Sequence, residues 1–255
     1  MLELNSVHKK FGGLHAVNDV SFQVREGAIK AVIGPNGAGK TTLFNMIAGN
    51  LDPTAGMVRF QGLEIQGKKP HQIAALGISR TFQNIKLFHG MTALESVMVG
   101  RHVRSRAGFL AGMFRLPSTW KEEQNIRGNS MELLELLDIA EFADVEATSL
   151  AFGQQRAVEM ARALATEPKL LLLDEPAAGL NIYETAEVAR LITRIRDMGI
   201  TILLVEHDMS LVMEISDEIV VLSFGEKIAE DAPVGIQQNP EVIKIYLGED
   251  EEVVA

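Results

Sequence analysis

Two short stretches of this chain carry residues whose types and spacing suit phosphate chemistry. The first runs Gly34-Pro35-Asn36-Gly37-Ala38-Gly39-Lys40-Thr41 and continues into Thr42, with the spacing G-x4-G-K-T. Glycines let backbone N–H groups converge on phosphate oxygens with no Cβ in the way. A helix starting at the end of the loop adds the positive end of its dipole. Lys40 is placed to reach the β- and γ-phosphates of a nucleoside triphosphate, and the Thr41 hydroxyl suits Mg²⁺. The second stretch, Leu170 to Leu173 followed by Asp174-Glu175-Pro176, is an apolar run that stops at two carboxylates. Asp174 suits Mg²⁺, bound through water. Glu175, at the mouth of a strand, is the candidate for polarising an attacking water.

The elements that must position these groups follow from the hydrophobic pattern. Ala28–Ile33 reads as a short strand ending at the glycine-rich turn, and Leu43, Ile47 and Ala48 mark one side of the helix after it. Leu170–Leu173, Thr201–Val205 and Glu218–Leu222 read as buried strands, with a helix over Tyr183–Met198. Strands alternating with helices predict a parallel α/β sheet. From about Asn84 to Leu164 no strand is evident, and helical patterns cover Ala93–His102, Glu122–Leu137 and Gln154–Leu164. This stretch is expected to be a helical insertion. Within it, Ala107–Pro117 is an apolar, glycine-containing segment that reads as a loop tucked on its own subdomain or a contact surface for a partner.

Bulk composition narrows the function. The 255 residues, 47% hydrophobic and 23% charged, suit one large soluble domain or a domain with a smaller insertion. A net charge of −10 argues against general nucleic-acid binding, which needs a basic surface. With no cysteine, disulfides, thiolate zinc sites and cysteine nucleophiles are excluded. The start of the chain is too polar for a secretory signal, and no apolar run approaches a membrane span. Work at a membrane would therefore need another chain to do the spanning. Glu249–Glu252 reads as a solvated tail.

Further residues, in order and at the right separations, resemble the ABC-transporter ATPases. Gln83, after the strand-like run Gly77–Phe82, resembles the family's Q-loop glutamine. Leu150-Ala151-Phe152-Gly153-Gln154 resembles the signature Leu-Ser-Gly-Gly-Gln, and Ala177–Asn181 resembles the D-loop. His207 resembles the switch histidine, and Phe11 resembles the aromatic that stacks on adenine. The resemblance covers essentially the whole chain. It implies an α/β P-loop ATPase fold with a RecA-like parallel-sheet core and an N-terminal antiparallel β part over residues 1–83 and 165–255. The helical subdomain, with the signature helix, would cover 84–164. It also implies ATP and Mg²⁺ as ligands, with Thr41, Gln83 and Asp174 toward the metal and Glu175, His207 and Gln83 toward hydrolysis. Two such subunits would pair head to tail, so that Ala151, Phe152, Gly153 and Gln154 face the ATP held by the partner's phosphate loop.

Three departures stand out. Ala151 stands where the family has Ser, removing a hydroxyl donor worth about 1.5–3 kcal/mol to a charged group. Phe152 stands for the first signature Gly, and Asn181 for the common D-loop Asp. The signature changes bear on the partner's ATP and imply an asymmetric pair, in which this chain's own loop depends on a more standard partner signature. Finer matches at Arg80–Gln83, Met91–Gly100, the insertion over 107–120 and Ile245–Asp250 resemble the LivG-type ATP-binding subunits of branched-chain amino-acid importers. That resemblance implies import of leucine, isoleucine and valine. It implies as partners a second ATPase subunit, two membrane permeases and a periplasmic or extracellular solute-binding protein, with this chain peripheral on the cytoplasmic face of the membrane. Urea importers and lipopolysaccharide exporters are the nearest alternatives. A soluble ABC ATPase acting on DNA or ribosomes is disfavoured by the charge, the single phosphate loop and the absence of a long coiled coil. Phe82–Gly100 is the expected permease-facing segment.

Overall fold

The computed structural model describes residues 1–81, 85–101 and 117–247; of 117–121 and 247 only the backbone course is described. Phe82, Gln83, Asn84, nearly all of the Ala107–Pro117 segment and the acidic tail lie outside the described residues. The contacts divide the chain into two units, residues 1–73 with 172–255, and residues 74–171.

In the first unit, β1 (Leu2–Phe11), β2 (Leu14–Val24), β4 (Ala55–Phe60) and β5 (Leu63–Glu64) form an antiparallel sheet in the order β2-β1-β4-β5. Buried residues pair across it, Leu2 with Val24, Leu4 with Phe22 and Val7 with Val20, the cross-strand contacts that stabilise such a sheet. The register slips between Leu4 and Val7, where Ser6 takes φ 42°, a bulge that interrupts the alternation.

A second sheet contains β3 (Ile29–Ile33), β6 (Ile78–Arg80), β7 (Leu170–Asp174), β8 (Thr201–Val205), β9 (Glu218–Ser223) and β10 (Glu226–Asp231), in the order β10-β9-β3-β8-β7-β6. Strand β6 and the first two residues of β7 belong to the second unit. β3 runs parallel to both β8 and β9, and β10 returns antiparallel on β9. Every residue of β3, β7 and β8 is buried, which is why these strands read as unbroken apolar runs rather than alternating ones. One exception is instructive. Lys30, 2% exposed in the middle of β3, places its ammonium 3.0 Å from Glu218 and 2.5 Å from Glu230, over the Phe22 ring. A buried charge is tolerated because it is paired.

Helices α1 (Lys40–Ile47), α6 (Ile182–Asp197), α7 (Met209–Ile215), α8 (Pro233–Gln238) and α9 (Pro240–Leu247) belong to this unit, and α2 (Pro70–Leu76) lies at the division. α6 starts on a full capping box, in which the Asn181 side chain accepts from the N–H groups of Tyr183 and Glu184 and the Glu184 carboxylate accepts from Asn181 N–H. Asn181 thus lacks the charge of an aspartate but keeps its capping role. Asp208 caps α7 by accepting from Ser210 and Leu211.

The second unit holds α3 (Ala93–Arg101), α4 (Pro117–Leu136) and α5 (Phe152–Leu164) around Leu94, Val97, Leu134, Val158 and Ala161. A Cβ on Gly100 would lie 2.2 Å from the Arg162 carbonyl oxygen, so glycine lets α3 and α5 approach closely. α4 starts five residues before the expected Glu122, at Pro117. Proline is at home in the first helical turn, where its missing N–H costs nothing. No described helix is long and apolar enough to cross a membrane.

Candidate nucleotide-hydrolysis site

The phosphate loop leaves β3 at Ile33 and enters α1 at Lys40. Gly34 and Gly39 have φ of 147° and 99°, outside the range that side chains favour. A Cβ at Gly34 would lie 2.0 Å from the Leu222 carbonyl oxygen, and one at Gly39 would lie 2.4 Å from that of Ala16. These two glycines are therefore demanded twice, by conformation and by space. Pro35 is half-buried, Asn36 and Gly37 are exposed, and Ala38 is buried. The Ala38 carbonyl accepts from Gly225 N–H, whose own carbonyl accepts from Asn18 N–H, so the β9–β10 turn ties the loop to β2. The first intrahelical bond of α1 runs from Leu43 N–H to the Gly39 carbonyl. The N–H groups of Lys40, Thr41 and Thr42 precede it and are available to an anion.

Lys40 is 6% exposed, and its ammonium donates to the carbonyls of Gly34 at 2.6 Å and Pro35 at 2.9 Å. Burial lowers its pKa, and the negative charges of Glu175 and Asp174 act in the opposite sense. The cradle and the acidic strand end therefore share one electrostatic field. Thr41 lies exposed at the start of α1 with Thr42 half-buried behind it, and Asp174 closes β7 at 4% exposure.

Beyond Asp174 the chain turns sharply. Glu175 adopts φ 50°, an uncommon conformation for a side-chain-bearing residue. Its N–H donates to the Val205 carbonyl at 2.9 Å, which sets the end of β7 beside the end of β8. His207, two residues after β8, donates from Nε2–H to Glu175 Oε1 at 2.7 Å. Two residues singled out separately in the sequence thus meet, because their strands end side by side at the edge from which the phosphate loop also leaves.

Phe11 ends β1 and is 47% exposed, with the Lys9 ammonium 5.2 Å from its ring centroid. In the second unit, α5 begins at Phe152, and Ala151 stands at the N-cap with no side-chain bond to offer. The Gln154 carboxamide oxygen accepts from Ala151 N–H at 3.0 Å, half of a capping box that an alanine cannot complete. Phe152 is 48% exposed, with the Arg156 guanidinium 5.4 Å from its ring centroid, and Gly153 and Gln154 are half-buried.

Two residues were not anticipated from the sequence. Glu206 lies buried between β8 and His207 and accepts hydrogen bonds from backbone N–H groups of the turn after β7 and the turn after β8. Its signal was a third carboxylate directly after an apolar strand. Tyr246, on α9, brings its phenol to the backbone of Gly34; burial pushes its pKa up to about 12, with the Gly34 contact acting in the opposite sense. No local pattern announced that contact.

Residues 17–178 match the family model described as ABC transporter, and residues 226–252 match one described as branched-chain amino acid ATP-binding cassette transporter. The high-affinity branched-chain amino acid transport ATP-binding protein BraF of Pseudomonas aeruginosa is 48% identical over 250 residues, 98% of each chain. The corresponding protein LivG of Salmonella typhimurium is 43% identical over the same share of both. Among solved structures, the ADP conformation of an ATP-binding cassette of an ABC transporter superposes with a TM-score of 0.85 at 33% identity, covering 98% of this chain and 99% of that one. A dimeric cassette in a post-hydrolysis state, bound to ADP and phosphate, superposes with a TM-score of 0.78 at 26% identity, covering 91% and 99%.

Proposed function

Because the chain belongs to the ABC transporter family of ATP-binding proteins, we propose that it is the ATP-hydrolysing subunit that energises an importer of branched-chain amino acids. The observation that carries this reading is the 2.7 Å bond between Glu175 and His207 at the edge where the phosphate loop begins. The C-terminal match over 226–252 favours amino-acid import over urea import or lipopolysaccharide export.

In this reading the amides of Gly37 to Thr42 bind the phosphates, and Lys40 exchanges the carbonyls of Gly34 and Pro35 for β- and γ-phosphate oxygens. Phe11 offers its exposed face to the adenine. Glu175 orients a water and takes its proton as the water oxygen bonds to the γ-phosphorus. The bond from that phosphorus to the β–γ bridging oxygen breaks, and ADP keeps the electron pair. His207 holds Glu175 until the more negative γ-phosphate competes for its N–H.

Thr41 and Asp174 are the residues that would hold Mg²⁺, with Gln83 assigned to it by family resemblance. One hydroxyl and one carboxylate suit a metal that keeps several waters and takes its remaining ligands from phosphate. Among the described residues no cluster of three or more His, Asp or Glu side chains could hold a metal alone. Bound there, Mg²⁺ neutralises charge on the β- and γ-phosphates.

The proposal extends to assembly. The chain divides into a core over 1–83 and 165–255 and a helical subdomain over 84–164, a reading supported by α3, α4 and α5. It pairs head to tail with a second ATPase subunit, so that Ala151 to Gln154 face the partner's ATP. Two permease subunits and a periplasmic or extracellular binding protein complete the machine, and this chain sits peripherally on the cytoplasmic face of the membrane. A cavity of about 400 Å³ lined by Lys86, Leu87, Phe88, Val99 and Arg162 supports a permease contact within 82–100. Permease cross-links that never map to this stretch would overturn that contact.

The test is leucine uptake by proteoliposomes holding this chain, its second ATPase, both permeases and the binding protein, with ATP supplied. Glu175→Gln is expected to stop uptake and lower turnover by about two to four orders of magnitude, with nucleotide still bound. Uptake that persists in the variant would sink the catalytic assignment. Uptake of urea in place of leucine would move the chain to the alternative.

A further inference from the structure

The turn after β7 and the turn after β8 each carry one of the hydrolytic residues, and one side chain bonds to both. Glu206 is 3% exposed. Its Oε1 accepts from Ala177 N–H at 2.7 Å, and its Oε2 accepts from His207 N–H at 2.9 Å and Asp208 N–H at 3.4 Å. Among the described residues no cation forms a salt bridge with it. A carboxylate in such a place is satisfied only while those backbone donors stay put, since burying one without its hydrogen bonds is costly. Its bonds to backbone N–H groups are also of the stronger, charge-assisted kind.

The division of labour between the two oxygens matters. Oε1 serves the segment Glu175-Pro176-Ala177, and Oε2 serves the segment Glu206-His207-Asp208. The one carboxylate therefore sets how far apart these segments stand. We propose that Glu206 is a positioning residue for hydrolysis, fixing the separation of Glu175 from His207 and anchoring both to Ala177, the first residue of the stretch that runs to Asn181. This rests on the ATP-hydrolysing reading above and adds to it a residue that acts through the backbone of the two turns.

Other arrangements at position 206 would not substitute. A glutamine keeps the shape and one acceptor, but its amide nitrogen meets an N–H donor with another donor, so one of the two turns is released. An alanine releases both. Misplacing reacting groups by about an ångström costs up to about a hundredfold in rate. Binding of the phosphates, which depends on the Gly34–Thr42 loop, is untouched.

The experiment measures ATP turnover and nucleotide affinity in the assembled transporter carrying Glu206→Gln, Glu175→Gln, or both. Glu206→Gln is expected to lower kcat up to about a hundredfold with KM for ATP unchanged, and to add little in the Glu175→Gln background, since both act on one device. Equal losses in kcat and affinity, or a full multiplicative loss in the double variant, would overturn the proposal. Amide hydrogen exchange in the unmodified protein gives a readout that needs no variant. The N–H groups of Ala177 and His207 are expected to exchange slowly, and exchange at exposed-loop rates would overturn it. If Glu175→Gln alone leaves turnover unchanged, the hydrolytic reading fails; if Glu175→Gln abolishes turnover and Glu206→Gln does not lower it, only the positioning role fails.

Discussion

The acidic strand end of the first unit and the start of α5 in the second are both assigned to nucleotide chemistry, but they are built to different standards. At the strand end the polar groups hold one another. Lys40 sits on two loop carbonyls, Glu175 is bonded to His207, and Glu206 fastens both turns. At the start of α5, Ala151 has no side-chain bond to give, and Phe152 presents a half-exposed ring. The first region is organised by bonds among its own residues. The second offers mainly the amides of a helix end, so preorganisation is concentrated at the strand end, where we propose that hydrolysis takes place.

The largest expected effect on nucleotide binding is on the organised side. Lys40→Met keeps an unbranched side chain one atom shorter and removes its charge, so ATP affinity should fall by about 1.5–3 kcal/mol, a factor of about 10 to 150. Equilibrium binding of a fluorescent ATP analogue measures it, and an unchanged dissociation constant would erase the contrast. On the other side, Ala151→Ser supplies both the missing cap and a hydroxyl. It should stabilise the protein by about 1 kcal/mol, visible as a higher denaturant midpoint, and raise turnover in the assembled complex. A gain in stability with unchanged turnover would mean that the altered signature costs nothing in the partner's site.

The smallest effect is a pH dependence. Tyr246 has a folded-state pKa of about 12, against about 10 for an unperturbed phenol. The folded protein holds this proton more tightly, so its contribution to stability is complete below pH about 10 and is lost as pH rises toward 12. Absorbance at alkaline pH should show a phenol transition near 12 that disappears in Tyr246→Phe. If that transition is missing from the unmodified protein, the half-exposed Tyr246 phenol does not meet the Gly34 backbone.

Legibility followed the range of the causes. The phosphate loop was readable because its chemistry is written in consecutive residues, and its glycines at Gly34 and Gly39 answer to local backbone geometry. Strands β3, β7, β8 and β9 were readable because their burial leaves plain apolar runs. The antiparallel sheet was available only through family resemblance, since the bulge at Ser6 breaks the alternation that marks a strand. The early start of α4 was missed because Pro117, Ser118 and Thr119 carry no apolar period, although proline suits a first turn. At Ala151 the sequence exposed the lost hydroxyl donor, and the structure added the lost helix cap.

By itself the sequence determined the phosphate cradle, the carboxylates at Asp174 and Glu175, the buried strands and the family. These depend on residue types at short, fixed separations. Only the tertiary structure decided that His207 bonds Glu175, that Glu206 joins their two turns, and that Tyr246 reaches Gly34. Each of those contacts depends on which strand or helix ends lie side by side, and strand order in a sheet leaves no mark on the residues along any one strand.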